Sequence, residues 1–154
     1  MKIIFLDIDG VLNSARYDAE RSAEQGNIDE TRLPLLKYLV DATDARLVLI
    51  SSWRKHWDRD AALCDGIGLE LNELFARYGL TVMDKTPELM DFDRPWEVRR
   101  WLAEHKAQVE SYVIFDDIPW GWGELEERHV RTDFRVGRGL EERHVNRALE
   151  LLKA

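Results

Sequence analysis

Acidic and hydroxyl side chains follow three apolar runs in this 154-residue sequence. The residues are Asp7 and Asp9 after KIIFL (2–6), Ser51 and Ser52 after RLVLI (46–50), and Asp116 and Asp117 after SYVIF (111–115). Crowded carboxylates repel one another unless a cation neutralises them. Aspartate oxygens favour a hard metal ion, and Mg²⁺ is the usual choice where a phosphate must also bind. If the three runs are neighbouring strands, these residue types predict a magnesium-dependent phosphate site.

Five short runs rich in β-formers alternate with segments of helical spacing. The runs lie at residues 2–6, 46–50, 80–83, 111–115 and, more weakly, 130–134. Apolar residues at helical spacing follow Asp29, precede Gly79, follow Pro95 and close the chain. This alternation implies an α/β fold, a three-layer sandwich around a Rossmann-like parallel sheet of about five strands. Ligands bind beyond the carboxyl ends of strands in such folds, so the polar residues named above should share one crevice.

The composition indicates one globular domain over residues 1–154, because no linker-like stretch divides the chain. No segment has the ~20 consecutive apolar residues of a membrane span. The N-terminus leaves no room for a signal peptide, so the expected location is the cytoplasm. The lone Cys64 cannot form an internal disulfide or a cysteine-type metal site.

The net charge of −8 argues against broad electrostatic binding to nucleic acid. A local groove remains an alternative, because WRKHWDR (53–59) and RPWEVRRW (94–101) mix cations with tryptophans. Solvated helix faces with anchoring aromatic residues explain the same two stretches and are the simpler interpretation.

Three stretches resemble the conserved motifs of the haloacid dehalogenase (HAD) superfamily. FLDIDGVLN is similar to the first motif, LVLIS to the second and VIFDD to the acidic fourth, in the same order along the chain. More narrowly, SSWR, TP, RPWEVRRWL, FDD and the closing GL resemble small HAD domains associated with RNA repair proteins and polynucleotide phosphatases. The resemblance covers nearly the whole chain. It implies an uncapped HAD-like fold and a Mg²⁺-dependent phosphomonoester hydrolase.

The resemblance assigns roles to the four aspartates. Asp7 is the expected nucleophile, which attacks phosphorus and becomes a phosphoaspartate while also binding Mg²⁺. Asp9 is the expected general acid and base, and its backbone carbonyl is a further metal ligand. Asp116 is expected to complete the Mg²⁺ shell, with Asp117 as the alternative ligand or as a residue that orients the shell.

The residues around the second motif are expected to bind substrate. By the resemblance, the hydroxyl and backbone N–H of Ser51 hold a phosphoryl oxygen, although a one-residue shift to Ser52 stays open and either serine can instead cap a helix. Gly10 lets the backbone approach the phosphoryl group closely. Trp53 and Arg54, which directly follow, are expected to contact the substrate.

The third motif departs from the common pattern, in which a lysine precedes the helix leading into the fourth strand. Arg94 in DRPWE occupies that place, whereas Lys85 in DKTPE lies further upstream. Arg94 is favoured, because its distance to Asp116 suits one helix and one turn and a guanidinium can neutralise the same charges. Lys85 remains the alternative.

The stretch 14–28 is polar and long enough for a flap or lid but not for a separate cap domain. An open crevice suits bulky substrates, such as a phosphorylated nucleic-acid end or a protein, or is closed by a second subunit. The main hypothesis is therefore a phosphatase for nucleic-acid ends or nucleotides, and a protein-directed phosphatase is the alternative. A catalytically silent binding module has no need of Asp9. A receiver-like fold with Asp84 after the third strand is the remaining alternative.

Overall fold

Five parallel strands form a single sheet in the computed structural model, which describes residues 1–89 and 92–153. The strands are β1 Lys2–Leu6, β2 Arg46–Leu49, β3 Val82–Lys85, β4 Ser111–Asp116 and β5 His129–Arg131, in the spatial order β3-β2-β1-β4-β5. The α-helices are α1 Ala15–Glu20, α2 Leu33–Thr43, α3 Gly66–Arg77, α4 Arg94–Glu104 and α5 Glu142–Lys153. Short 3₁₀ helices span Glu30–Arg32, Ser52–His56, Ala61–Leu63 and Gly123–Arg128. The predicted α/β fold with a parallel sheet of five strands is confirmed.

Successive residues of β1 point to opposite faces of the sheet, and both faces are covered. Ile3 and Phe5 pack in one core with Trp101 of α4, whereas Ile4 and Leu6 pack in the other core with residues of α2, α3 and α5. A strand buried on both faces is apolar, which explains the run Ile3 to Leu6 of β1. Helices on both sides of the sheet produce the expected three layers.

The strand register places the residues after β1, β2 and β4 at one edge of the sheet. Leu6 pairs with Leu49 of β2 on one side and with Phe115 of β4 on the other. The pairing continues past β1, because the Asp7 N–H donates to the Phe115 carbonyl at 3.0 Å and the Ile50 N–H donates to the Leu6 carbonyl at 3.0 Å. The first residues beyond three neighbouring strands therefore face one crevice.

The third strand begins two residues later than the 80–83 predicted. Gly79 adopts a φ of 71°, and the Leu80 N–H donates to the Phe75 carbonyl at the end of α3. Leu80 therefore completes the C-terminus of the helix and is not part of β3. As a result Asp84 lies within the strand, where it accepts a hydrogen bond from Trp101 Nε1 at 2.9 Å.

Residues 14–28, which the sequence predicted as a flap, contain α1 and an irregular segment. Ser14 caps α1, since its side chain accepts the Tyr17 N–H. Tyr17 is buried, and its hydroxyl donates to the Gly26 carbonyl at 2.8 Å. The described residues include no separate cap domain. No helix within residues 1–89 and 92–153 is long and apolar enough to cross a membrane.

Candidate active site

Three carboxylates meet at the carboxyl edge of the sheet. Asp7, Asp116 and Asp117 each offer an oxygen that lies within 4.8 Å of the others. Asp7 is 4% exposed, Asp116 is fully buried and Asp117 is half-buried. Oxygen ligands in such a group fit a hard divalent cation such as Mg²⁺. The structure thus brings together three of the four aspartates that the sequence predicted as metal ligands through their side chains or backbone.

Arg94 is the cation that contacts this acidic cluster. Its Nη1 lies 3.1 Å from Asp7 Oδ2 and donates to Asp116 Oδ2 at 2.8 Å. The first residue of α4 is Arg94 itself, and the preceding Asp93 side chain caps the helix by accepting the Trp96 N–H. The helix start therefore fixes the guanidinium between the strand ends.

Lys85, the alternative for the third motif, lies elsewhere. Its Nζ donates to the backbone carbonyls of Arg54 at 2.9 Å and Trp57 at 2.5 Å. The ammonium group thus holds the loop after β2 to the end of β3. Of the two candidate cations, only Arg94 contacts the carboxylates of Asp7 and Asp116.

The site's electrostatics follow from burial and from three nearby negative charges. Burial and the neighbouring Asp116 charge raise the pKa of Asp7 well above its usual value, although Arg94 opposes the rise. Burial and Asp116 also raise the pKa of Asp117. Burial alone would lower the pKa of Arg94, but the Asp7 and Asp116 carboxylates raise it. One guanidinium does not balance three carboxylates, so a further cation is favoured here.

Asp9 is not part of this three-carboxylate cluster, and its side chain is held by two donors. Asn13 Nδ2 donates to Asp9 Oδ1 at 2.8 Å, and Trp53 Nε1 donates to Asp9 Oδ2 at 3.3 Å. Asn13 was not among the residues predicted for the site, although a polar residue directly after Val11 and Leu12 was a signal that its side chain has buried partners. Trp53 contacts Asp9, and its contact with the substrate stays a prediction.

Gly10 occupies a position that only glycine fills without strain. Its φ is 85°, and a Cβ built on it would lie 2.2 Å from Asp117 Cγ. The Gly10 carbonyl accepts a hydrogen bond from the Thr132 hydroxyl at 2.6 Å. Thr132, which was not predicted from the sequence, thus ties the first loop to the end of β5. In this structure the close neighbour of Gly10 is Asp117, and its approach to a phosphoryl group stays a prediction.

The two serines have different surroundings. Ser51 is buried, and its Oγ accepts the Trp53 N–H at 3.2 Å, which caps the 3₁₀ helix Ser52–His56. Its hydroxyl hydrogen stays available for a phosphoryl oxygen. Ser52 is exposed and lines a groove of about 1040 Å³ between residues 24–30, the 3₁₀ helix and α3. Trp53 lines the same groove.

Arg54, predicted to bind substrate, is buried and pairs with residues that are not part of the acidic cluster. Its Nη2 donates to Glu97 Oε1 at 2.8 Å, and its Nη1 donates to Thr86 Oγ1 at 2.5 Å. Its side chain is only 7% exposed. The guanidinium therefore pairs with α4 and with the residue after β3, an arrangement that stabilises the fold. An arginine in SSWR carries no sequence signal that distinguishes these two roles.

The chain matches the protein family described as "HAD domain in Swiss Army Knife RNA repair proteins" over residues 3–145. This match includes the five strands, except for the first residue of β1, and the start of α5. No curated protein and no solved structure matches the chain.

Proposed function

This protein belongs to the family of HAD domains found in Swiss Army Knife RNA repair proteins, and from that premise we propose that it is a Mg²⁺-dependent phosphomonoester hydrolase. Membership of the family supports a phosphatase-type hydrolase in general terms. The finer proposal is that a phosphoaspartate forms on Asp7. The observation that carries it is the buried cluster in which Arg94 contacts both Asp7 and Asp116, with Asp117 alongside.

Mg²⁺ is the proposed cofactor because the donor set is made of oxygens and carries excess negative charge. Asp7 and Asp116 would hold the ion, with Asp117 and the backbone carbonyl of Asp9 as the other protein ligands. When bound, the ion offsets the charge of the carboxylates and of the transferring phosphoryl oxygens.

The proposed reaction has two steps on this chain's own residues. A carboxylate oxygen of Asp7 attacks phosphorus, and the bond from phosphorus to the leaving alcohol breaks as Asp9 gives that oxygen a proton. Asp9 then accepts a proton from water, whose oxygen attacks the phosphorus of the phosphoaspartate. Inorganic phosphate leaves, Asp7 returns as a carboxylate and Asp9 is again protonated. The Ser51 hydroxyl and Arg94 would stabilise the phosphoryl oxygens.

The proposed substrates are phosphorylated nucleic-acid ends or nucleotides. The Trp120 ring lies 5.1 Å from Arg94 Cζ and is 37% exposed, and Trp53 adjoins Asp9. Any nucleic-acid base can stack on such rings, so this contact carries little sequence preference. Arg131 Nε donates to the Asp117 carbonyl at 3.2 Å, which places a second cation near the cluster. These features support local contacts with a phosphorylated end despite the net charge of −8.

Phosphate release tests the proposal. The purified chain is assayed with Mg²⁺ on 5′- and 3′-phosphorylated oligonucleotides, nucleotides, phosphopeptides and sugar phosphates. Asp7→Asn is expected to lose activity. The matched variant Asp41→Asn should keep it, because Asp41 is exposed near the end of α2, which leads into the opposite edge of the sheet. Activity that survives in Asp7→Asn contradicts the assigned nucleophile, and a preference for phosphopeptides contradicts the proposed substrate class.

Metal binding has its own readout in thermal unfolding. A ligand that binds only the folded state raises the melting temperature. Mg²⁺ should therefore raise it in the wild type and raise it less in Asp117→Asn. An unchanged melting temperature across a Mg²⁺ titration would contradict the metal site.

A further inference from the structure

The Asn13 side chain links three parts of the first loop. Its Oδ1 accepts the Gly10 N–H at 2.8 Å, while its Nδ2 donates to Asp9 Oδ1 at 2.8 Å and to the Asn27 carbonyl at 3.1 Å. Asn13 is 4% exposed, so these contacts replace water. The amide therefore joins the backbone after Asp9, the Asp9 carboxylate and the segment 14–28.

Trp53 contacts the same carboxylate from the neighbouring loop. Its Nε1 donates to Asp9 Oδ2 at 3.3 Å, and its own backbone N–H is fixed by the Ser51 cap. Asp9 thus has a donor on each oxygen, one from the loop after β1 and one from the loop after β2.

Asp9 needs such support because its side chain is exposed, unlike the buried Asp7. An exposed carboxylate without partners samples several rotamers, and ordering it costs conformational entropy. Proton transfer requires the donor within hydrogen-bond reach of the leaving oxygen, so a small misplacement is costly.

We propose that Asn13 and Trp53 are positioning residues that hold the Asp9 carboxyl group in place for proton transfer to the leaving group. This inference rests on the proposed function. It assigns to Trp53 a role that acts through Asp9, which differs from the direct substrate contact expected from the sequence.

The test compares two classes of phosphomonoester. An alkyl phosphate has a poor leaving group and depends on general-acid help, whereas an aryl phosphate such as p-nitrophenyl phosphate depends on it much less. Trp53→Phe removes the indole N–H and keeps an aromatic ring. We expect it to lower kcat/KM, which reports the transfer of the phosphoryl group to Asp7, about tenfold on the alkyl phosphate and less than about threefold on the aryl phosphate. The tenfold loss is a part of the 10²–10⁴-fold typical of general-acid catalysis.

Trp57→Phe is the matched control, because Trp57 ends the same loop and its Nε1 donates to Asn72 Oδ1 at 2.9 Å instead. It should lower kcat/KM on both substrates equally or not at all. Asn13→Ala provides a second perturbation of the same carboxylate and should show the same selective loss. Circular dichroism confirms that each variant is folded before kinetics are compared.

The decisive measurement repeats Trp53→Phe in an Asp9→Asn background. If Trp53 acts through Asp9, the two effects are not additive, and Trp53→Phe causes no further loss on either substrate. An equal loss of kcat/KM on alkyl and aryl phosphates, or full additivity with Asp9→Asn, would overturn the proposal. If the wild type releases no phosphate from any substrate, the proposed function itself fails, which is a distinct result.

Discussion

The buried pair of Arg54 and Glu97 tests whether Arg54 stabilises the fold, as its contacts indicate. Glu97 is 2% exposed in its side chain, and both of its oxygens are used. Oε1 accepts from Arg54 Nη2 at 2.8 Å and Oε2 accepts from the Leu89 N–H at 2.8 Å. Glu97→Gln preserves the shape but places an amide N–H₂ against one of these two donors. Whichever way the amide turns, one buried donor loses its acceptor.

Glu97→Gln is expected to cause a large loss in the free energy of unfolding, although it replaces only one oxygen by an amide nitrogen. Breaking a buried ion pair on one side costs about 3–5 kcal/mol, because the remaining charge is buried and unpaired. Glu88 moderates this, since its Oε1 lies 3.7 Å from Arg54 Nε, but its side chain is 50% exposed. We therefore expect a loss near the lower end, about 3 kcal/mol in the free energy of unfolding. For a chain of this length that corresponds to a fall of roughly 6–12 °C in melting temperature.

Urea and thermal unfolding of purified variants measure this loss directly. Glu88→Gln is the matched control and should cost less than about 1 kcal/mol, as is usual for an exposed partner. A loss below about 1 kcal/mol in Glu97→Gln would refute the claim that Arg54 is a buried structural cation. The double variant Arg54→Met, Glu97→Leu removes both charges and should recover much of the stability. If that folded variant also loses phosphatase activity, the substrate-binding role predicted from the sequence regains support.

Two further predictions concern backbone conformation and pH. Gly10→Ala should abolish most activity, because a Cβ there would lie 2.2 Å from Asp117 Cγ. Gly121 is the control, since it has a similar φ of 78° but no atom within 4 Å of an added Cβ. Gly121→Ala should cost only about 1–2 kcal/mol of stability and leave kcat unchanged. Equal kinetics for the two variants would contradict the steric argument. Burial lowers the pKa of His144 below its ordinary 6.5, so the unfolded chain binds more protons and stability should fall as pH drops below 6.5. His144→Asn, which retains an acceptor for the Glu141 N–H, should show a smaller decline in melting temperature between neutral pH and pH 5.5, and an identical decline would rule out this contribution.

The sequence predicted the fold well because the fold's signals are local. β1 is apolar from Ile3 to Leu6, and its predicted bounds match the structure. Pro34 and Pro95 lie in the first turns of α2 and α4, where proline is tolerated. The helix α1 escaped prediction because its six residues carry little apolar periodicity. The late start of β3 depends on a backbone hydrogen bond to α3, which no residue pattern reveals.

The candidate site was predicted only where residue type and strand position sufficed. The aspartates after β1 and β4 converge because parallel strands end at one edge. The choice between Arg94 and Lys85 depended on which side chain reaches the carboxylates, and only the tertiary structure shows this. Arg54 looked like a substrate ligand because sequence cannot tell a buried cation from an exposed one. The contacts of Asn13 with Asp9 depend on loop geometry that spacing alone does not specify.

The most direct test of the central claim is to trap the covalent intermediate. The enzyme is mixed with Mg²⁺ and a phosphomonoester, quenched within a turnover and reduced with borohydride, which converts an aspartyl phosphate to homoserine. Peptide mass spectrometry should then find homoserine at position 7, and none when Asp7→Asn is treated in the same way. Turnover of the substrate without homoserine at position 7, or with the modification at another aspartate, would contradict the mechanism.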